Sequence, residues 1–222
     1  MRATIMAAAA AVCLAGAAPA WAPVSFDGWA EQRFSLFFGN EWRTRGTSLE
    51  VRADGTVSML WSPLPEAAWG ARAASWRWSV ARSVPPTDLT RRGGDDRNLA
   101  LYFIFMPAEI ARAHRGKGIR ALLDVDEARV LMYVWGGAHP RGAVLPTPYL
   151  GARGRTVALR PAGEGAFAEQ VDLDADHRRA FGAPAASLVG LAVSADADDT
   201  DSALRARLED LRLSPVSSLA GG

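Results

Sequence analysis

Three nearly unbroken apolar runs dominate the hydrophobic pattern of the chain. They are Leu99 to Met106, Arg129 to Trp135 and Ser187 to Ser194. Each run is too short to cross a membrane as a helix, which needs about 20 apolar residues. Short apolar runs bounded by turn residues are typical of strands that are buried on both faces. We expect these three strands to form the centre of the fold.

A second group of segments alternates apolar and polar residues, which predicts strands with one buried face. Ala73 to Val80 alternates so that its two tryptophans share a face. Ser48 to Arg52 and Thr56 to Trp61 lie on either side of Asp54-Gly55. An Asp-Gly pair between alternating segments is a strong signal for a β-hairpin. We therefore predict that these two strands pair with each other.

The remaining segments are less regular. Phe26 to Phe38 fits either a short helix or an edge strand. Leu204 to Leu213 alternates with a one-residue slip, which predicts a bulge near Glu209 and Asp210. A helix over Ser202 to Leu211 is the competing interpretation. Two further strands are predicted, at Arg155 to Arg160 and at Phe167 to Leu173.

Helices and long loops are few. Pro107 to His114 predicts one or two helical turns, because proline is tolerated at the start of a helix. Asp174 is expected to cap a short helix from Ala175 to Phe181, which Gly182 would end. His139 to Gly154 is rich in proline and glycine and predicts a long loop of the kind that often carries function.

The pattern as a whole predicts an all-β fold. Short strands separated by turn residues, with no βαβ spacing, favour a jelly-roll-like antiparallel β-sandwich with one or two short helices. The length suits a single domain, which we place at residues 23–213. Residues 214–222 are predicted to be a disordered tail.

The N-terminus predicts export. Arg2 precedes an apolar segment from Ile5 to Ala15, and Ala20-Trp21-Ala22 fits the small-x-small rule for signal peptidase. We predict a signal peptide over residues 1–22, with cleavage after Ala20 as the near alternative and a membrane anchor as the competing interpretation. The protein is then expected in the bacterial periplasm or outside the cell, with no transmembrane segment after cleavage.

Composition excludes several kinds of chemistry and partner. The only cysteine, Cys13, lies in the predicted signal, so the mature chain would have no disulfide and no thiolate chemistry. The chain has 25 basic and 24 acidic residues with no dense basic run, which argues against nucleic acid as a partner. The three histidines form no zinc motif, and the chain has no nucleophile elbow or phosphate loop.

An ordered series of short motifs runs along most of the chain. The series is Trp76-Arg-Trp78, Gly94-Asp95-Asp96, Tyr133-Val-Trp135, Pro148-Tyr149, Asp172 with Asp176 and Arg178, Phe181-Gly182 and Asp196-x-Asp198-x-Thr200. In this order the motifs resemble domain-of-unknown-function family 3047, a group of bacterial proteins, many with secretion signals. The resemblance implies a secreted β-sandwich-like domain. Thr147 and Gln170 depart from the family pattern, which usually has asparagine and arginine at these two places.

Aspartates are the first candidates for a binding site. Asp95 and Asp96 lie at the mouth of the first apolar strand, and adjacent strand residues point to opposite faces, so the two are not expected to share a site if the strand begins that early, although one of them could pair with an acid elsewhere. A structural ion pair with Arg97 or Arg178 is the alternative. The family motifs add Asp172 and Arg178 to the candidate ligand-binding residues.

Aromatic residues near loops are the second group of candidates. Tryptophan and tyrosine stack on the apolar face of sugar rings while their polar atoms form hydrogen bonds. Trp42, Trp69 and Tyr149 lie nearer loops and are the better binding candidates, with core packing as the alternative for each of them. Trp76, Trp78 and Trp135 are expected in the core.

The acidic loop after the third apolar run predicts a metal site. Asp196, Asp198 and Asp199 are spaced like the first ligands of a calcium loop, and calcium prefers carboxylate oxygens. An EF-hand is excluded, because no glycine follows at the turn position and Arg207 stands where the bidentate glutamate would be. A solvated acidic turn is the alternative.

Export, architecture and this set of residues favour non-catalytic binding of a carbohydrate or another cell-envelope component. No catalytic residue is assigned. A secreted glycan hydrolase or lyase that uses paired aspartates is one alternative, and a structural envelope protein without a small ligand is another. The first alternative requires two of the aspartates to meet in a cleft, and the second predicts a flat surface.

Overall fold

Two β-sheets packed face to face build the protein. The computed structural model describes residues 21–35 and 38–215, so residues 1–20 of the predicted signal peptide and residues 216–222 of the predicted tail lie outside the described residues. The strands of the first sheet are β1 (Ala22–Pro23), β3 (Glu41–Arg45), β4 (Ser48–Asp54), β6 (Ala73–Arg82), β11 (Gly165–Asp172) and β13 (Ala203–Ser214). Their order in the sheet is β11-β6-β13-β4-β3, with β1 paired to β13.

The strands of the second sheet are β2 (Ala30–Arg33), β5 (Val57–Pro63), β7 (Arg97–Met106), β8 (Arg129–Gly136), β9 (Val144–Thr147), β10 (Gly151–Arg160) and β12 (Ser187–Asp196). Their order in the sheet is β2-β5-β12-β7-β8-β10-β9. Among the described strands only β8 and β10 pair in parallel. The predicted all-β sandwich is confirmed.

The described residues also form three helices, one more than the sequence predicted. They are α1 (Ala108–Ala113), α2 (Ile119–Leu123) and α3 (Leu173–Phe181). A 3₁₀ turn lies at Glu66–Ala68. Within the described part of the chain, none of these helices has the length and apolar character that a membrane crossing requires.

The three apolar runs are the central strands β7, β8 and β12, as predicted. Their side chains alternate between two hydrophobic layers. Leu101, Phe103 and Phe105 of β7 pack in the layer between the sheets. Tyr102 and Ile104 point the other way, into a second cluster that includes residues of α1 and α2. Both faces are buried because the helices cover the outer face of the second sheet, which explains why these runs are apolar throughout.

The tryptophans of β6 belong to the core between the sheets, as the alternation predicted. The rings of Trp76 and Trp78 meet edge to face, with centroids 5.4 Å apart. Trp76 also packs against Tyr133 at 5.7 Å, and Trp78 against Trp135 at 5.6 Å, so the cluster joins the two sheets through β8. Aromatic pairs of this kind contribute beyond the area that they bury.

The predicted hairpin at Asp54-Gly55 is wrong. β4 pairs with β3 and β13, whereas β5 pairs with β2 and β12, so this turn carries the chain from one sheet to the other. Gly55 turns with φ +56°, and its N–H donates to the Ser202 carbonyl at 3.0 Å. The two strands face each other across the core, with Leu49 and Leu60 in the same hydrophobic layer. The dipeptide identifies the turn but not the strand partner.

Other local predictions have mixed outcomes. The bulge is confirmed, because the pairing of β13 with β6 shifts between Glu209 and Arg212, and Asp210 has φ 54°. Phe26 to Phe38 contributes the edge strand β2 rather than a helix.

The predicted loop from His139 to Gly154 instead contains β9 and the start of β10. Its prolines are compatible with β9 because that strand lies at the edge of the sheet.

Gly136 allows β7 and β8 to approach closely at the end where Arg97 lies. It pairs with Arg97, and a Cβ at this position would lie 2.7 Å from the Arg97 Cα. We expect Gly136→Ala to lower the free energy of unfolding by about 2–3 kcal/mol, through steric overlap and the strain of φ +156°. Urea denaturation measures the loss. The control is Gly70→Ala, where an added Cβ meets nothing within 4 Å, and equal stability of the two variants would contradict the prediction.

Candidate functional site

A cavity of about 300 Å³ lies on the outer face of the second sheet, and we call it the outer-face cavity. Its floor includes Met59 of β5, Tyr102 of β7 and Met132 of β8, which all belong to the outer hydrophobic cluster. Leu123 of α2 and Leu150 add apolar walls. The volume is at the small end of the range for ligand pockets, and an apolar lining with a few polar groups is typical of such sites.

A buried ion-pair network forms the polar end of the cavity. The Arg97 Nη1 atom donates to Asp95 Oδ2 at 2.8 Å and lies 3.1 Å from Asp196 Oδ2. The three side chains are only 12%, 5% and 9% exposed, in the order Arg97, Asp95, Asp196. Arginine stays protonated in proteins, so the guanidinium holds both carboxyl groups in fixed positions.

The hydroxyl groups of Tyr102 and Ser194 complete the network around Arg97. The Arg97 Nη2 atom donates to the Tyr102 hydroxyl at 3.3 Å and to Ser194 Oγ at 3.4 Å, and the two hydroxyl oxygens are 3.0 Å apart. Ser194 and Asp196 lie on β12, and Asp196 pairs with Arg97 across the sheet. Neighbouring strands therefore position the whole group.

Asp95 and Asp196 differ in whether the carboxylate oxygen that does not face Arg97 has a hydrogen-bond partner. No donor in the described part of the chain reaches Asp196 Oδ1, although this atom is buried. Burial raises the pKa of Asp196 to about 8, against the opposing effect of Arg97, and the neighbouring Asp198 and Asp96 carboxylates contribute to the rise. The Oδ1 atom of Asp196 therefore has a hydrogen-bonding capacity that the described residues leave unused.

Tyr149 stands at the mouth of the cavity. Its hydroxyl donates to Asp95 Oδ1 at 3.1 Å, while the residue as a whole is 53% exposed. The Arg92 guanidinium carbon lies 4.9 Å from the ring centroid. Partial burial and the Asp95 carboxylate raise the pKa of Tyr149. Phe34, equally exposed, also lines the cavity, so two aromatic side chains meet the solvent there.

Asp96 points away from this network, toward the loop after β12. It is fully buried and accepts hydrogen bonds from the Asp199 N–H at 3.3 Å, the Thr200 N–H at 2.8 Å and the Thr200 hydroxyl at 2.5 Å. The two adjacent aspartates therefore have different hydrogen-bond partners, although β7 begins only at Arg97 and the alternation of a strand does not apply to them. Asp95 meets the predicted partner Arg97, and Asp96 fixes the acidic loop.

A group of three carboxylates lies beside the cavity, and we call it the carboxylate cluster. One oxygen each from Asp96, Asp198 and Asp199 lies within 4.8 Å of the other two. Asp198 and Asp199 also line the cavity and are exposed, whereas Asp96 is buried. Burial, followed by the Asp198, Asp96 and Asp95 carboxylates, raises the pKa of Asp199. Hard oxygen ligands in this number suit calcium better than a softer metal.

The other candidate binding residues lie elsewhere. Trp69 lines a separate cavity of about 790 Å³ together with Trp61, and its indole N–H donates to the Leu64 carbonyl at 3.0 Å. Asp172 caps α3 by accepting from the Ala175 N–H at 2.9 Å. Arg178 pairs with Asp174 on the surface of the same helix, at 3.0 Å. Asp172 and not Asp174 is thus the helix cap, since α3 begins two residues earlier than predicted.

Tyr102 and Ser194 were not among the candidate residues. β7 has an irregularity between Arg97 and Leu99 in its pairing with β8. As a result Arg97 and Tyr102 meet on the same side of the sheet, although their numbers differ by an odd count. Strict alternation places them on opposite faces, so only the bulge could have indicated this contact.

Comparison with known proteins supports the resemblance noted from the motifs. Residues 19–212 match the family model described as "Protein of unknown function (DUF3047)". No curated protein matches the chain.

Two solved structures illustrate the structural matches. The xyloglucanase domain of NopAA, a type three effector from Sinorhizobium fredii, in complex with cellobiose, is 10% identical, with 87% of this chain and 97% of that chain covered and a TM-score of 0.47. The family 11 xylanase from Neocallimastix patriciarum is 11% identical, with 87% and 100% covered and a TM-score of 0.39. At these scores the likeness carries no functional argument.

Proposed function

We propose that the outer-face cavity of this chain, which belongs to the DUF3047 family of proteins of unknown function, binds carbohydrate. The observation that carries the proposal is the pairing of an exposed tyrosine ring with a buried carboxylate at one cavity mouth. Tyr149 presents its ring to solvent while its hydroxyl group donates to Asp95. Arg97 in turn donates to Asp95 and holds this carboxylate in place.

The chemistry of this arrangement suits a sugar. An aromatic ring stacks on the apolar face of a pyranose, and carboxylates accept hydrogen bonds from its hydroxyl groups. Tyr149 and Phe34 supply the ring faces, and Asp196 and Asp198 supply oxygens within the same cavity. The small volume favours the end of a glycan over an internal stretch of a long chain.

A cell-envelope glycan is the class of ligand that best fits the predicted export of the protein. The signal peptide and the periplasmic or extracellular location remain predictions, since residues 1–20 lie outside the described residues. A purely structural envelope protein is the weaker proposal, because it does not account for a concave site with both acidic and aromatic groups.

Glycan hydrolysis is the second candidate, and one distance favours it. Asp95 Oδ2 and Asp196 Oδ2 lie 2.8 Å and 3.1 Å from the same guanidinium nitrogen. The two oxygens are therefore within about 6 Å of each other, closer than the carboxyl groups of inverting glycosidases and compatible with the about 5–5.5 Å of retaining ones. Two of the candidate aspartates do meet in one cavity.

Titration of the purified protein with a panel of soluble oligosaccharides, with and without calcium, tests the proposal. We expect at least one glycan to bind, Tyr149→Ala to weaken binding about tenfold or more, and Tyr149→Phe to weaken it less because the ring is kept. Trp69→Ala is the matched control, since Trp69 lines the other cavity, and it should bind normally.

The same samples separate binding from hydrolysis. Release of new reducing ends by the wild type, abolished in Asp95→Asn and Asp196→Asn, would establish the enzyme. Binding without product would support the non-catalytic proposal. A folded protein that binds no glycan of the panel in either condition would rule out both.

A further inference from the structure

We propose that the carboxylate cluster of Asp96, Asp198 and Asp199 is a calcium site next to the outer-face cavity. The sequence pattern predicted a metal site at Asp196, Asp198 and Asp199, so the structure exchanges one ligand. In the structure Asp96, which lies far earlier in the chain than the acidic loop, takes the place of Asp196 beside Asp198 and Asp199. The calcium site shares Asp198 with the proposed sugar contacts, but its test uses no sugar and does not depend on them.

The spacing of the oxygens fits this ion. Calcium binds oxygen at about 2.3–2.6 Å, so two ligands on opposite sides of the ion are about 4.6–5.2 Å apart. The three carboxylate oxygens of the cluster all lie within 4.8 Å of one another. They can therefore share one ion without a change of the backbone. Magnesium requires a tighter octahedral shell and keeps most of its waters, so three carboxylates at this spacing suit it less well.

Asp96 is held in place before any ion arrives. Both of its oxygens accept hydrogen bonds from Asp199 and Thr200, which fixes the buried carboxylate against the loop that carries the other two ligands. Asp96 Oδ1 accepts only one hydrogen bond, so its second lone pair can face a cation, whereas Oδ2 already accepts two hydrogen bonds from Thr200. Asp198 and Asp199 are exposed, which leaves the outer side of the site open to solvent and to water ligands.

An independent feature of the neighbouring residue points to the same ligand. Asp196 Oδ1 has no donor among residues 21–35 and 38–215, although the Asp196 side chain is 91% buried. This carboxyl group is in side-chain contact with Asp198 and lines the cavity together with Asp198 and Asp199. A buried oxygen without a donor is costly, and a nearby cation or one of its bound waters would satisfy it.

The balance of charge also favours a cation here. Asp95, Asp96, Asp196, Asp198 and Asp199 converge on this end of the sheet. Arg97 is the buried guanidinium that faces them, and it already contacts two of the five. Like charges at short distance repel strongly where water is partly excluded. A divalent ion would offset this repulsion and link β7 to the loop after β12.

Calorimetric titration of chelator-treated protein with calcium chloride tests the site without any glycan. We expect one ion per chain with Kd about 0.1–1 mM, the range of extracellular calcium modules. At about 10 mM calcium the Tm should rise by about 3–10 °C. Magnesium chloride should bind at least tenfold more weakly.

Variants of the exposed ligands keep the test independent of folding. Asp198→Asn and Asp199→Asn should each weaken calcium binding tenfold or more while leaving the circular dichroism spectrum unchanged. Asp201→Asn is the matched control, because Asp201 lies in the same loop but outside the cluster, and asparagine tolerates its φ of 46°. It should bind like the wild type.

Two results would overturn the proposal. One is the absence of both heat and a Tm shift at about 10 mM calcium, well above the expected Kd. The other is calcium binding that Asp198→Asn and Asp199→Asn leave unchanged, which would place the ion elsewhere. Since these titrations contain no sugar, a failure here leaves the carbohydrate proposal standing, and a negative glycan panel leaves the calcium site standing.

Discussion

Replacing Arg97 with methionine is expected to lower the free energy of unfolding by about 3–5 kcal/mol, as measured by urea denaturation. The change leaves Asp95 and Asp196 without their common positively charged partner in a position where their side chains are less than a tenth exposed. Removing one partner of a buried pair costs far more than the pair contributes, because the remaining groups stay desolvated without compensation.

Two further variants test this explanation. Arg178→Met removes an exposed arginine that pairs with Asp174 along a helix surface, and we expect a change within about 0.5 kcal/mol. Adding Asp95→Asn and Asp196→Asn to Arg97→Met removes the uncompensated acids and should recover much of the loss. An Arg97→Met protein with nearly wild-type stability would contradict the proposed role of the guanidinium.

Truncation of Trp76 to alanine is the second large effect, with an expected loss of about 3–5 kcal/mol in the free energy of unfolding. The side chain is almost fully buried and contacts rings from three strands, namely those of Trp78, Phe103 and Tyr133. The resulting space lies between two sheets, neither of which can collapse into it without breaking its own strand pairing.

The matched variant Trp76→Phe should cost much less, about 1–2 kcal/mol. Among the described residues no acceptor reaches the indole N–H of Trp76, so phenylalanine removes an unsatisfied buried donor while it keeps an aromatic ring. Urea denaturation followed by far-ultraviolet circular dichroism measures both variants without relying on tryptophan fluorescence. Equal losses for alanine and phenylalanine would show that the ring stacking contributes little.

The layered core could be predicted from the sequence because burial leaves a local trace. Residues 99–106 are apolar at every position, and the structure buries all of them. The bulge near Asp210 also left a trace, as a one-residue slip in an otherwise regular alternation. In both cases a property of single residues, their affinity for water, decides the structure.

Strand partners and the site could be predicted only in part, because they depend on contacts between distant segments. Asp54-Gly55 indicates a turn correctly, but the pairing of β4 with β13 and of β5 with β12 is decided by strands more than 120 residues later, such as the pair Val57 and Asp196. Asp96 was a candidate from its position beside a strand, yet its contact with Thr200 has no local signal. Arg97 lies on the same side of the sheet as Tyr102 because of an irregularity in the pairing of β7 with β8, and the hydrophobic pattern gives no signal for it.

The order of strands also determines when the chain can fold during its synthesis. β12 lies between β5 and β7, and β13 lies between β6 and β4, so the two strands nearest the C-terminal end of the described residues stand in the interior of their sheets. Until residues 187–214 have emerged, β4, β5, β6 and β7 each lack a neighbour and expose an open hydrogen-bonding edge. The nascent chain therefore cannot close either sheet until β12 and β13 have been synthesised.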